Sequence, residues 1–245
     1  MLVYVLSVFS FLILGLSSAE EVDLSLKTCD SKSYNFSACV KDNLESVLPQ
    51  LIKGIPQYDV PPIDPFFLEY QKIAFNSNNI HGEIIFVNLS VTGLAKVKFL
   101  DVTPQFLDDE IFKIEIDSHV PELDMKTIVK INSSLNVFKI LSESPVHVVA
   151  NDIRGKADFI GHVINDTWVL DHIRIYPTIE KFKISANNLI EDNKELNDLV
   201  ISFMNEYWPM FYRDALPYLS DAIEGELIAM INKFLSHFSF SKSFI

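Results

Sequence analysis

Apolar and polar residues alternate in short runs between about residues 67 and 184, as at 112–117 and 173–176. Alternation is typical of strands with one buried face, because successive side chains of a strand point to opposite faces of the sheet. Similar runs occupy residues 128–132, 158–164 and 181–184, and turn-forming residues separate runs at 142–145 and 165–166. The pattern predicts about seven or eight strands in an antiparallel meander.

Two Asn-x-Ser triplets indicate which strand faces are buried. If Asn88 and Asn132 point to water, the residues beside them point inward. These inward residues would be Val87, Leu89, Val91, Val129 and Ile131. Charged neighbours assign the same direction to Phe112, Ile114, Ile116, Phe182 and Ile184. The sheet should therefore have one strongly apolar face that another element must cover.

Two segments have helical spacing instead. Residues 35–54 place apolar side chains on one side and charged ones on the other, which predicts an amphipathic helix. Residues 189–238 keep helical spacing over a longer stretch that contains Pro209 and Pro217, so we expect one kinked helix or two collinear helices in the concave face of the sheet. Residues 55–65 contain four prolines, which predict a stiff, extended crossing.

The first nineteen residues carry no charge, are mostly apolar, and end in Ser17-Ser18-Ala19 before Glu20. They predict a secretory signal peptide at 1–19 and a mature chain at 20–245, although the missing Lys or Arg at the start leaves an uncleaved anchor open. No later apolar run is long enough to cross a bilayer, so we expect a secreted, extracellular product without stable membrane insertion. The mature length fits one large all-β or α+β domain or two small ones.

The net charge is −13, and all of it lies beyond the apolar N-terminal segment. A negative field repels phosphate backbones and anionic head groups, so nucleic acid is not expected as a partner. Lys and Arg are scattered singly among acids, which is typical of a solvated surface.

Two kinds of modification fit an oxidising compartment. The chain has two cysteines, Cys29 and Cys39, which we expect to form a disulfide. A metal site is the alternative, but the spacing is too long for a Cys-x-x-Cys clip and no histidine is adjacent. Predicted glycan acceptors in Asn-x-Ser/Thr triplets are Asn35, Asn88, Asn132 and Asn165.

The sequence contains no nucleophile elbow, zinc-binding His-Glu-x-x-His pair, phosphate loop or dinucleotide fingerprint. Two carboxylates chosen from thirty-three acidic residues give no glycosidase signal. The histidines are scattered, at positions 81, 119, 147, 162, 172 and 237. We therefore expect neither an enzyme nor a cofactor or metal site.

Aromatic content is the more informative chemical feature. The chain has nineteen Phe, and an aromatic group lies on the long helical segment at Phe203, Tyr207, Trp208 and Phe211. Aromatic residues at helical spacing usually belong to a core. However, a sheet curled around a helix encloses a space that must be filled either by large side chains or by an apolar ligand.

The order of these features resembles the takeout/haemolymph juvenile hormone-binding protein family of secreted insect proteins. The residues that carry the resemblance are Cys29 and Cys39, Ile63-Asp64-Pro65, the run from Asn88 to Leu94, Asn188-Leu189, and the run from Phe203 to Trp208. The resemblance covers the mature chain, 20–245, as a single domain. It implies an α+β fold in which a highly curved antiparallel sheet wraps a long C-terminal helix, as in tubular lipid-binding proteins, around an apolar tunnel. In having a single cysteine pair, the chain is more similar to the takeout branch of the family than to the haemolymph hormone carriers.

The leading hypothesis is a secreted carrier that buries a small lipophilic ligand, such as a terpenoid hormone or a fatty acid, between helix and sheet. Candidate tunnel-lining residues are Phe112, Ile114, Ile116, Ile173, Phe182, Ile184, Phe203, Tyr207 and Phe211. One alternative is a secreted glycoprotein that binds a protein receptor and has a filled core. The other is an enzyme acting on lipid esters, for which no nucleophile can be singled out.

Overall fold

The computed structural model describes residue 24 and residues 26–77, 80–108, 110–135, 138–190 and 193–245. For residues 76, 77, 80, 81, 134, 135 and 138–140 it describes the backbone. The predicted signal peptide, 1–19, lies outside the described residues.

Helices begin and end the described chain, and strands fill its middle. The first helix, α1, spans Phe36–Lys53, and short 3-10 helices span Pro56–Tyr58 and Leu94–Lys96. The strands are β1 Phe66–Ser77, β2 Ile80–Thr92, β3 Lys98–Phe106, β4 Ile111–Leu135, β5 Phe138–Ile164 and β6 Thr167–Ala186. The last helices are α2 Lys194–Glu206, α3 Trp208–Leu235 and α4 Phe240–Ser243.

The six strands of the described residues form one antiparallel sheet. Its order is β1-β2-β4-β5-β6, and β3 pairs with β4 beside this path. Strand β4 has 25 residues and β5 has 27, so several predicted strands belong to one long strand. The predicted number of strands was therefore too high, because long strands that curve with the sheet read locally as separate short ones.

The predicted turn at 142–145 is wrong, since these residues lie inside β5. At Pro145 the strand pairs with β4 alone, since the pairing of β5 with β6 begins only at Val146, and proline is tolerated in such edge positions. The predicted turn at 165–166 is confirmed. Asn165 and Asp166 have φ values of 50° and 63° and connect β5 to β6 as a two-residue hairpin.

The predicted inward direction of Val87 is also wrong. Val87 pairs with Ile128, whereas its neighbour Phe86 pairs with the buried Val129. The cause is Asn88, whose φ of 53° accompanies a register shift between Val87 and Ser90. This bulge interrupts the alternation on which the prediction depended. Other predicted directions agree, since Val129 and Ile131 belong to the core and Asn88 and Asn132 are exposed.

The amphipathic helix predicted at 35–54 is confirmed as α1, which buries Phe36, Val40 and Val47. The proline-rich segment that follows is not entirely extended, because Pro56–Tyr58 forms a single 3-10 turn. Pro56 occupies the first position of this turn, where its fixed φ fits a helix and its missing N–H removes no hydrogen bond.

The predicted long C-terminal helical region consists of two helices that meet at Tyr207. Pro209 lies in the first turn of α3, where no intrahelical bond is lost, and its position explains the break. Pro217 lies inside α3 and does not end the helix.

The core is densely filled at the end of the sheet nearest α1. Phe112 is fully buried there, and its ring lies 5.1 Å from that of Trp168 and 4.9 Å from that of Phe244. The predicted disulfide between Cys29 and Cys39 is present, and backbone hydrogen bonds join Cys29 to the C-terminal segment. Two smaller core clusters lie along the concave face, around Val129 and around Ala150.

Candidate ligand-binding cavity

A cavity of about 720 Å³ lies between the concave face of the sheet and the helices α2 and α3. Its lining is predominantly apolar and aromatic. Strands contribute Ile73, Phe75, Ile84, Phe86, Phe182 and Ile184. Helices contribute Met204, Trp208, Phe211, Tyr212, Asp214, Ala215, Tyr218 and Leu219.

The strand side of the lining follows from alternation. Phe182 and Ile184 are two residues apart on β6, as are Ile84 and Phe86 on β2, so the members of each pair share a face. Ile73 of β1 lies directly opposite Ile84 in the antiparallel register and therefore joins the same face. Three strands thus present large apolar side chains to one space.

The helix side follows from helical spacing. Met204, Trp208, Phe211 and Ala215 recur at intervals of three or four residues across the junction of α2 and α3, so they form one stripe toward the sheet. The ring of Trp208 stacks on Phe182 at 5.4 Å, which joins the two walls of the cavity.

Tyr212, Asp214 and Tyr218 bring polar groups to the lining of the cavity. Tyr212 donates a hydrogen bond from its hydroxyl to the carbonyl oxygen of Pro177 at 3.1 Å. Burial raises the pKa of Tyr212, so the phenol stays protonated. Asp214 is the charged residue of the lining, and its side chain is 72% exposed and paired with Arg213 at 3.5 Å. The charge therefore lies at the mouth, and the interior suits an uncharged ligand body.

Smaller cavities also lie among the described residues. The first, of about 140 Å³, lies between α1 and the C-terminal segment and is lined by Val40, Trp168, Phe234 and Phe244 among others. The second, of about 90 Å³, lies between β6 and α3.

The residues predicted to line a tunnel are distributed among these places. Phe182, Ile184 and Phe211 line the large cavity, Ile114 lines the cavity beside α1, and Ile173 lines the smallest one. Phe112 and Ile116 belong to the filled core near α1. Phe203 and Tyr207 are 49% and 45% exposed, and the ring of Phe203 contacts that of Phe211 at 5.8 Å.

Several cavity residues were missed from the sequence. Ile84 and Phe86 were not among the predicted inward residues, because the bulge at Asn88 interrupts the alternation from which the inward residues of β2 were predicted. Ile73 and Phe75 are two residues apart on β1, and this spacing could have predicted that they share the inward face. Trp208 was noted among the aromatic residues of the helix but was not assigned to the lining.

Two histidine–carboxylate pairs involve no lining residue of the large cavity. His147 lies 2.7 Å from Asp124, and this hydrogen bond holds the pKa of Asp124 below its usual range. His162 pairs with Asp171 between neighbouring strands. Among the described residues, no three His, Cys, Asp or Glu side chains are grouped so that they could hold a metal ion.

Comparison with known proteins supplies the family. Residues 5–245 match the sequence model described as Haemolymph juvenile hormone binding protein (JHBP). The chain belongs to the takeout/JHBP family. This family is known for binding hydrophobic ligands.

Relatives of this JHBP-family chain include insect proteins. The circadian clock-controlled protein daywake is 20% identical to it in Drosophila yakuba and 21% identical in Drosophila melanogaster, each over 228 residues. These alignments cover 89% of the chain and 86% of each relative.

A solved structure shows the same fold. Takeout 1 of Epiphyas postvittana superposes with a TM-score of 0.71 at 17% identity, covering 89% of this chain and 98% of that one. The predicted fold class, a curved antiparallel sheet with a long C-terminal helix, is therefore confirmed. Within the described part of the chain, no helix is both long and apolar enough to span a bilayer.

Proposed function

We propose that this JHBP-family chain is a secreted carrier that holds a small hydrophobic ligand, such as a terpenoid hormone, a fatty acid or a similar lipid, in the cavity between its sheet and its helices. The observation that carries the proposal is the cavity of about 720 Å³ with its apolar and aromatic lining. A volume of this size falls in the range of small-molecule sites, roughly 300 to 1,000 Å³.

The energetics of burial support a carrier. Removing apolar ligand surface from water contributes roughly 25 cal/mol per Å², which supports micromolar or tighter binding after the costs of association. Phe182, Trp208 and Phe211 supply large contact surfaces. The Tyr212 hydroxyl already donates its hydrogen bond to the carbonyl oxygen of Pro177. Recognition would therefore depend mainly on shape and apolar contact.

Secretion is supported by three features of the chain. The apolar segment at 1–19 has the pattern of a signal peptide, and the disulfide between Cys29 and Cys39 suits an oxidising compartment. The predicted glycan acceptors are exposed, at Asn35, Asn88, Asn132 and Asn165. The proposal includes glycosylation at these acceptors and cleavage of the segment at 1–19.

The first experiment is organic extraction of the secreted protein under denaturing conditions, followed by mass spectrometry of the extract. A stoichiometric lipid or terpenoid is expected. An empty extract, together with no uptake of a fluorescent fatty acid by the native protein, would contradict the carrier proposal and favour a secreted interaction module with a filled core.

A substitution then locates the site. Phe211→Glu places a charge against the cavity, so uptake of the fluorescent fatty acid should fall at least tenfold. Phe67→Glu is the matched control, because Phe67 is 56% exposed on β1 and lies outside the cavity lining. Equal uptake by both folded variants, verified by circular dichroism, would remove Phe211 from the binding site.

A further inference from the structure

The edge of the sheet at β6 is bound firmly to the helices. Side chains of α2 and α3 hydrogen-bond with backbone groups of β6 that no neighbouring strand pairs. Asn232 bonds with both the N–H and the carbonyl of Leu170, and Asn205 does the same with Ile184. Further bonds join Asn197 to Ala186, Tyr212 to Pro177 and Glu224 to Ile173. The helices thus replace a missing strand along this edge.

The opposite edge, at β1, is held differently. Among the described side chains, Gln71 makes the hydrogen bond across this seam, from its Nε2 to the carbonyl oxygen of Ala222 at 2.8 Å. The next inward residues of β1, Ile73 and Phe75, face the cavity. In the described part of the β1–α3 seam, one polar contact and apolar packing therefore hold the two elements together.

The mouth of the cavity lies on the side of α3 that faces β1. Asp214, Tyr218 and Ala222 follow one another at intervals of four residues, so they share one side of the helix. Asp214 and Tyr218 line the cavity and are also exposed, and Ala222 accepts the hydrogen bond from Gln71. Solvent access and the weakly held contact thus coincide.

We infer that the ligand enters and leaves between β1 and α3. The hydrogen bond of Gln71 with Ala222, here called the latch, holds this seam closed, and the β6 contacts keep the other side of α3 in place. The inference rests on the proposed carrier function. Four hydrogen bonds between side chains of α3 and backbone groups of β6 must break before α3 leaves β6. Among the described residues, one hydrogen bond and apolar contacts hold α3 on β1. Local opening follows the least stable contacts of a fold, so the β1 side opens first.

The test is to cross-link each seam and to measure ligand exchange. The variant Gln71→Cys/Ala222→Cys is joined by a short bis-maleimide, and release of a fluorescent fatty acid is followed by stopped flow against the same variant blocked with a mono-maleimide. The native cysteines form a disulfide and do not react. Cross-linking should slow release at least tenfold.

The matched control joins α3 to β6 through His172→Cys/Glu224→Cys, at a pair whose Nδ1 and Oε1 atoms lie 3.6 Å apart. Release is compared with the same double variant blocked with a mono-maleimide, so that the loss of the Glu224–Ile173 hydrogen bond is common to both samples. Relative to this reference, the cross-link should change release less than twofold. Equal slowing by both cross-links, or no slowing by the first, would overturn the inference. A native protein that takes up no ligand would contradict the carrier proposal instead.

A second variant keeps the inference testable if the double-cysteine protein does not fold. Gln71→Ala removes the latch alone and should speed release at least threefold, whereas Tyr70→Ala, which changes a 57% exposed neighbour on β1, should not. Unchanged release from folded Gln71→Ala would overturn the role of Gln71.

Discussion

Phe112 and Phe182 have the same sequence signature but different surroundings. Each is an inward residue of an alternating strand, and each was predicted to line a tunnel. Phe112 is fully buried and contacts Trp168, Phe240 and Phe244, whereas Phe182 borders open space beside Trp208. Of these two inward phenylalanines, Phe112 therefore fills the core at one end of the molecule, whereas Phe182 lines a cavity.

The substitution Phe112→Ala tests this difference. Because Phe112 is surrounded by side chains, its truncation should lower the free energy of unfolding by about 3–5 kcal/mol, as measured by urea denaturation. Phe182→Ala should lower it less, since that side chain already adjoins the cavity, but it should weaken ligand binding. Equal losses of stability in the two variants would contradict the distinction between filled core and cavity wall.

At the scale of elements, irregular positions decide how strands and helices meet. The bulge at Asn88 changes which residues of β2 face inward, and the junction at Tyr207 allows α2 and α3 to follow the sheet. Gly93, which follows β2, has a φ of 110° and lies against the backbone of Glu122 in β4. Such positions carry little periodic signal in the sequence.

Two glycine substitutions separate backbone constraint from helix propensity. In Gly93→Ala the new Cβ would lie 2.1 Å from the carbonyl oxygen of Glu122 at a φ that disfavours side chains, so we expect a loss of about 1–3 kcal/mol or more. Gly225→Ala lies inside α3 with open space around it and should stabilise by about 0.5–1 kcal/mol. Thermal denaturation measures both, and a stable Gly93→Ala protein would contradict the close approach.

At the scale of the whole molecule, the two ends of the described chain are joined near α1. Cys29 bonds through its backbone to Ser243 and Ile245, while its side chain is linked to Cys39 of α1. The disulfide therefore ties α1 to the C-terminal segment that packs on the aromatic core.

Removal of this link should destabilise the fold without abolishing it. The double variant Cys29→Ala/Cys39→Ala should lose roughly 2–3 kcal/mol, since the bridge closes a short loop. Chemical denaturation against the native oxidised protein measures the loss. An unchanged unfolding midpoint would show that the hydrogen bonds of Cys29 with the C-terminal segment suffice.

Much of the fold was accessible from local patterns. Helical spacing located α1 to within about a residue of its observed ends, and Asn165-Asp166 marked the hairpin between β5 and β6. Alternation located the strands but not their continuity, because β4 and β5 curve through positions that read as turns, such as Pro145. Three of the predicted lining residues, Phe182, Ile184 and Phe211, lie at the large cavity.

The sequence by itself determined the elements, the apolar face and the cysteine pair, since each depends on the spacing of residues along one segment. Only the tertiary structure decided where the apolar space is filled and where it stays open. The reason is that Phe112 meets aromatic side chains from the distant C-terminal segment, whereas Phe182 faces a gap bounded by β1, β2 and α3. Volume left between distant segments depends on all of them together, and no local pattern encodes it.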